Sequence, residues 1–234
     1  MPLIKTMKKI ARKLLFRVPS SAVVIFHHIT DAPECQKSKC VLPFAKFTGF
    51  IESYRNYDSL PSVLKNPARK KIAITFDDGL QDVYTLAYPY LKAKNIPFTV
   101  FIVTDFLDQP GYITTENLKE LAKDDLVTIG AHGTTHQNLN LLSPTQQKSE
   151  LEDSQKILEA KTGAGVTLFA FSHGAYDKNT LKQMGKYEYG FTTKQLPLNF
   201  LTKVRKKRIP RYNVDAASVD AVAAELNKFL KGQK

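Results

Sequence analysis

No stretch of the 234-residue chain approaches the roughly 20 consecutive apolar residues that an α-helix needs to cross a bilayer. A spanning helix is therefore not expected. Cysteine is scarce: Cys35 and Cys40 are the only two, with neither the short spacing nor the second ligand pair of a structural zinc site. They read as free thiols, a local disulfide staying open if the chain is exported. Internal repeats and low-complexity linkers are also missing, so one domain is the default at this length. Nor is a secretory leader legible. Met1 to Val18 is positively charged, but Lys13 and Arg17 interrupt the apolar run at Leu14, Leu15 and Phe16, which falls short of the roughly 7–15 residues such a core needs. The expected location is cytoplasmic, or peripheral on the inner face of the membrane.

Negative charge is in the minority, 22 acidic against 34 basic side chains, for a net charge of +12. That balance favours nucleic acid, anionic lipid or acidic glycans as partners. Much of the excess lies in two runs, Lys5, Lys8, Lys9, Arg12, Lys13 and Arg17 at the start, and Lys203, Arg205, Lys206, Lys207, Arg208 and Arg211 near the end. Neither run carries a base-reading signature, so no nucleic-acid partner is expected. Met7, Ile10, Leu14 and Val18 recur at near-helical spacing opposite a basic face. Residues 1–20 thus read as a basic helix or extension, suited to an anionic membrane surface or to packing on its own domain.

From Val23 to about Val214, short apolar runs alternate with longer helix-like segments, the pattern of repeated βα units. Strands are expected at 22–26, 71–75, 98–103, 126–130, 167–171 and 189–192, with a short late one near 208–210. Helices are expected at 44–57, 83–94, 115–123, 144–162, 178–185 and 216–230. Seven strands with intervening helices fit an α/β barrel of the (β/α)7 type, spanning 21–215 and followed by a C-terminal helix in 216–234.

In such folds chemistry gathers at the C-terminal ends of the strands. Asp77 and Asp78, His132 and His136, His173, and His27 and His28 each follow a strand candidate. Adjacent carboxylates, as in Thr75-Phe76-Asp77-Asp78-Gly79, repel unless a proton or cation relieves them. A helix cap is the plainer explanation for that pair taken alone. Histidines four apart, His132 and His136, are a known metal-ligand spacing, reached on a helical turn or across a tight loop. Together with the Asp pair they point to a metal site.

Two segments carry a specific resemblance. Ile74-Thr75-Phe76-Asp77-Asp78-Gly79 and Ile129-Gly130-Ala131-His132-Gly133-Thr134-Thr135-His136-Gln137-Asn138-Leu139 resemble the first two motifs of the polysaccharide deacetylase family, also called the NodB-homology domain or carbohydrate esterase family 4. The likeness covers about 22–214 and implies a distorted (β/α) barrel. By that likeness Asp77 is the base, while Asp78, His132 and His136 hold a divalent metal: zinc first, with cobalt, nickel or ferrous iron as alternatives. The implied reaction is hydrolysis of N-acetyl, less readily O-acetyl, groups on a carbohydrate. Three protein ligands leave positions open for water and the acetyl oxygen.

The general acid departs from the common pattern, because no histidine follows His173. Val24-Ile25-Phe26-His27-His28 instead resembles a permuted subgroup that includes poly-N-acetylglucosamine deacetylases, which makes His27 the acid, with His28 and His173 as alternatives. Phe169-Ala170-Phe171-Ser172-His173-Gly174-Ala175-Tyr176 resembles the family's Phe-Ala-Tyr-Pro-x-Gly-x-Tyr stretch, with Ser172 in place of proline. His173, Gly174 and Tyr176 are the substrate-binding candidates. Arg208-Ile209-Pro210-Arg211-Tyr212-Asn213-Val214 resembles the subgroup's late Pro-Arg-Ile segment, so Arg211 is expected to orient Asp77, the alternative being a solvated charge. The loop from Asp31 to Leu42 is a candidate wall of the site. Competing readings are a catalytically impaired carbohydrate-binding module of the same fold, an oxygen-using iron enzyme with a two-His, one-carboxylate centre, and an anion binder using the basic runs.

Overall fold

A computed structural model describes residues 18–31 and 40–230. The basic helix expected in 1–20 falls almost wholly outside the described residues, as do Cys35 and most of the loop from Asp31 to Leu42. In chain order the elements are β1 (Ala22–Phe26), β2 (His28–Ile29), β3 (Val41–Leu42), α1 (Phe44–Glu52), α2 (Leu60–Lys65), β4 (Ile72–Phe76), a π-helical turn (Val83–Ala87) running into α3 (Tyr88–Ala93), and β5 (Phe98–Ile102). There follow α4 (Thr115–Lys123), β6 (Val127–Ala131), α5 (Pro144–Thr162), β7 (Leu168–Ala170), α6 (Lys178–Gln183), β8 (Tyr189–Phe191), α7 (Phe200–Lys203), β9 (Tyr212–Asn213) and α8 (Val219–Leu230). Among the described residues no helix is long and apolar enough to cross a membrane.

Seven strands form one parallel sheet in the order β8-β7-β6-β5-β4-β1-β9. The sheet curls until its two edges meet on a single segment. Ile209 hydrogen-bonds on one side to β8, through Ile209 N to Gly190 O at 2.7 Å and Thr192 N to Ile209 O at 2.8 Å. Three and four residues on, Tyr212 and Asn213 pair with Val24 and Ile25 of β1. The last strand therefore lies at 212–213 rather than 208–210. The stretch expected to be the strand makes a single bridge to β8 and then crosses to β1.

Strand side chains alternate between two apolar layers. Val24, Phe26, Ile74, Phe76, Phe98 and Val100 point outward into the layer beneath the helices, whereas Val23, Ala73, Phe101, Ala170, Phe191 and Ile209 fill a separate interior cluster. Phe76 is fixed on the outer side, with ring centroids 5.6 Å from Phe26 and 5.7 Å from Phe98. Phe101 crowds the interior so tightly that a Cβ on Gly130 would sit 2.4 Å from its ring, so only glycine fits there.

The helices begin where their sequences say they should. Ser143 accepts from Gln146 N in a capping box ahead of Pro144 at the first turn of α5, and Gly163 ends that helix at φ 71°. Thr114 and Asn117 make the same reciprocal cap on α4. The C-terminal helix α8 is part of this body, burying Leu226, Phe229 and Leu230 in the outer layer.

Candidate active site

Strand periodicity selects the residues that line the open end of the barrel. Continuing the inward phase Ala73, Thr75 gives Asp77, and continuing Thr128, Gly130 gives His132. The phase Val23, Ile25 gives His27, and Ile209 gives Arg211. Asp77 is 3% exposed and Arg211 is fully enclosed, which rules out the solvated-charge reading of Arg211. Arg211 Nη1 donates to Asp77 Oδ1 at 2.8 Å and Nη2 to Oδ2 at 2.7 Å, a two-pronged pair. The guanidinium also donates to Thr75 Oγ1 at 3.2 Å and stands over the Phe101 and Phe191 rings at 5.1 and 5.8 Å. Burial raises the Asp77 pKa, but Arg211, and after it His132, outweigh burial and hold the carboxyl below the ordinary carboxylate range.

Asp78 lies out of phase with Asp77, and the backbone turns to bring it in: Asp78 and Gly79 take φ 73° and 74° in succession. Its Oδ1 sits 3.4 Å from His132 Nε2 and 3.2 Å from His136 Nε2. Asp78, His132 and His136 offer ligand atoms all within 4.8 Å of one another. The tautomer of His132 follows from its other nitrogen. Nδ1 lies 2.8 Å from the Ala170 carbonyl, which can only accept, so Nδ1 carries the hydrogen and Nε2 presents a lone pair. That lone pair faces a buried carboxylate oxygen that has no hydrogen-bond donor. Two acceptors at 3.4 Å call for a cation between them, and an Asp-His-His set fits a divalent metal. Burial lowers the His132 pKa, yet Asp77 and Asp78 leave it raised, a further sign that the site draws positive charge.

His132 and His136 come together across a tight loop, not along a helix, with Gly133 at φ 85° and His136 at φ 62°. The residue that holds this loop is absent from the expectations above. Glu150, buried on α5, accepts from Thr134 N at 2.7 Å, from Thr135 N at 3.1 Å and from Thr135 Oγ1 at 2.5 Å. A Cβ on Gly133 would lie 2.7 Å from Glu150 Oε2, so glycine is required at the point of closest approach. Gln147, Glu150, Leu151, Ser154, Gln155 and Leu158 are the buried stripe of α5. A carboxylate on that stripe is the signal from which Glu150 could have been found.

Of the three histidines open for the acid role, His28 is committed elsewhere: its Nδ1 pairs with Asp82 Oδ2 at 2.7 Å, and that bond raises its pKa. His27 stays inside, in the electrostatic field of Asp77, Asp78 and His132, with a buried Nδ1 that has no partner. Burial lowers its pKa against the pull of both carboxylates.

Residues 64–192, more than half of the chain, match the model of the family described as polysaccharide deacetylase. The chain belongs to the polysaccharide deacetylase family. Its sequence is similar to YxkH of Bacillus subtilis, 37% identical over 131 residues that make up 55% of this chain and 47% of that protein. It is also similar to the poly-beta-1,6-N-acetyl-D-glucosamine N-deacetylase of Staphylococcus aureus, 27% identical over 144 residues, 54% of this chain and 49% of that one. The chain thus spans about half the length of these relatives. Among solved structures it shares its fold with the Streptococcus pyogenes deacetylase PplD in complex with acetate, at a TM-score of 0.76 and 21% identity over 88% of this chain and 97% of the other.

This polysaccharide deacetylase departs from the family pattern at Ser172, and the structure gives the serine a task. Its Oγ donates to the His132 carbonyl at 3.0 Å, tying the end of β7 to the end of β6, where His132 stands. His173 follows at φ 55°, its ring 4.5 Å from that of His136, and Gly174 follows at φ 68°. A Cβ on Gly174 would lie 2.4 Å from Thr193 Oγ1. Tyr176 stacks 4.8 Å from Phe171 and lines a groove of about 220 Å³ with Lys194, Leu196, Leu201 and Arg205.

Proposed function

We propose that this deacetylase is a metal-dependent hydrolase that removes N-acetyl groups from a carbohydrate, with Asp77 as the base. The observation that carries the reading is the buried Arg211–Asp77 pair set beside the Asp78, His132 and His136 cluster. A divalent ion, when bound by those three residues, supplies Lewis acidity toward the acetyl carbonyl. The chain's own residues do the rest. Arg211 fixes both Asp77 oxygens in the barrel floor, so the carboxylate can take the proton of the attacking water without rotating away. Water adds its oxygen to the acetyl carbon, the C–N bond breaks, and the departing nitrogen needs a proton. His27, inside the barrel beside Asp77 and Asp78, gives it. His173, Gly174 and Tyr176 receive the sugar.

Three further points support the amide substrate and the sugar class. The family match covers the segment holding Asp77, Asp78, His132, His136 and His173. The Staphylococcus aureus relative is named for N-acetylglucosamine deacetylation. Arg211 completes a carboxylate base that an iron oxygenase centre does not need. The test is acetate release from N-acetylated glycans by metal-loaded wild type and by Asp77→Asn at equal metal content. Release by wild type alone supports the proposal. Equal release by both removes Asp77 from the base role, and silence from both with metal bound favours a binding module.

A further inference from the structure

Ser21 at the foot of β1 pairs with Leu198, and Ser20 Oγ accepts from Asn199 Nδ2 at 3.1 Å. Asn199 caps α7, whose Lys203 Nζ reaches the Lys65 carbonyl at 2.9 Å. The short helix α7 therefore packs along the rim formed by the N-terminal ends of β1 and β4, and its Leu201, with Arg205 just beyond it, borders the groove that holds Tyr176. The fold gathers at this rim what the sequence keeps apart. The run that begins at Lys203 is here, beside Lys65, Lys70 and Lys71.

This rim also bears the exposed apolar side chains of the segment. Phe200, Leu201 and Val204 are 54, 57 and 77% exposed, and positions 200 and 204 share one helix face. Polar residues would cost nothing at such positions, so an apolar ridge there marks a contact surface. Arg205, Lys206, Lys207 and Arg208 form no ion pair among the described residues, and Glu188 is the acidic neighbour in the adjoining hollow with Lys65 and Lys203.

We propose that this rim is a docking surface for an anionic lipid bilayer, with Phe200, Leu201 and Val204 entering the headgroup layer and the surrounding lysines and arginines binding lipid phosphates. Apolar tips ringed by unpaired cations match the two layers of an anionic membrane, hydrocarbon inside and negative charge outside. A protein partner of the same apolar character would leave the cations unanswered. The inference does not depend on the chemistry assigned to Asp77.

The experiment is co-sedimentation of the full chain with vesicles of phosphatidylcholine alone and of phosphatidylcholine containing phosphatidylglycerol, at low and high salt. The proposal expects binding to the anionic vesicles only, weakened by salt. Phe200→Ser with Val204→Ser should lower partitioning about tenfold or more. Arg205→Gln with Lys206→Gln and Lys207→Gln should lower it about a hundredfold. Unaltered thermal unfolding midpoints for both variants exclude misfolding as the cause. Equal binding to both vesicle types, no binding to either, or undiminished binding by the Phe200, Val204 variant overturns the proposal. So does a wild-type dimer that the same variant splits without any lipid binding, which would make the ridge a contact between two copies.

Discussion

Replacing Arg211 by methionine keeps much of its length and apolar contact with Phe101 and Phe191 but leaves the Asp77 carboxylate buried and without a counter-charge. Both charge-assisted bonds, at 2.7 and 2.8 Å, go at once. Breaking a buried pair by removing one partner costs about 3–5 kcal/mol, because the remaining charge loses solvation and partner together. For a chain of this size that is a fall in the unfolding midpoint of roughly 6–20 °C. A bound divalent cation would take over part of the task, so the fall should shrink when metal is added. The pH dependence has a fixed sign. The Asp77 pKa is lowered in the folded protein, so the pair's contribution is present above the ordinary carboxylate value of 3.8 and is lost as pH falls through the lower folded value. The gap between wild type and Arg211→Met should therefore be widest near neutral pH, narrow as acid protonates the variant's uncompensated Asp77, whose pKa burial raises, and be closed once pH falls through the lowered wild-type value. Arg211→Lys separates charge from geometry: an ammonium cannot span both oxygens, and acetate release should fall about a hundredfold or more with a smaller stability loss. An Arg211→Met midpoint within about 2 °C of wild type, or an Arg211→Lys variant of full activity, would refute the reasoning.

Glu150→Ala strands the N–H groups of Thr134 and Thr135 and frees the loop between two metal ligands, so metal affinity should fall about 10- to 100-fold in a competition titration, with Glu150→Gln intermediate. Unchanged affinity in a folded Glu150→Ala protein would make the residue a structural support only. His28 has a raised pKa through its bond to Asp82, so their pair stabilises the fold fully below the ordinary value of 6.5 and loses that contribution as pH rises through the folded value. Asp82→Asn should therefore destabilise at pH 5.5 more than at pH 8.5, and a gap that widens with pH would contradict the assignment. His27→Gln should lower acetate release most for substrates with poor leaving groups while metal content stays the same. A uniform loss across leaving groups would move the acid role to His173.

The barrel and the meeting of Asp78, His132 and His136 were legible because both depend on local patterns. Apolar runs of strand length located six of the seven sheet strands within a residue or two, and the helices at 115–123 and 144–162 matched their capping signals. Asp77, Asp78, His132 and His136 stood at strand ends in recognisable spacings. The late strand was misplaced because its register is set by β1 and β8, distant in sequence, and Ile209-Pro210 is as apolar as the true strand. The helix Leu60–Lys65 escaped notice because its six residues are too few to show a period. Glu150 was hidden for a different reason. Its position on the inner stripe of α5 is visible only once the helix phase is known, and the N–H groups it serves belong to a loop with no local mark.

The segment from Ile209 to Asn213 closes the barrel and carries Arg211, whose partner Asp77 lies 134 positions earlier. During synthesis the ribosome delivers Asp77, Asp78, His132 and His136 well before this segment, so the nascent chain holds the Asp-His-His cluster without the arginine that fixes Asp77. Catalytic competence and closure of the fold then arrive in a single late event. A chain caught with its final strand undocked lacks the fixed Asp77 carboxylate, so under the proposed mechanism it is poorly equipped to hydrolyse acetyl groups before its barrel is shut.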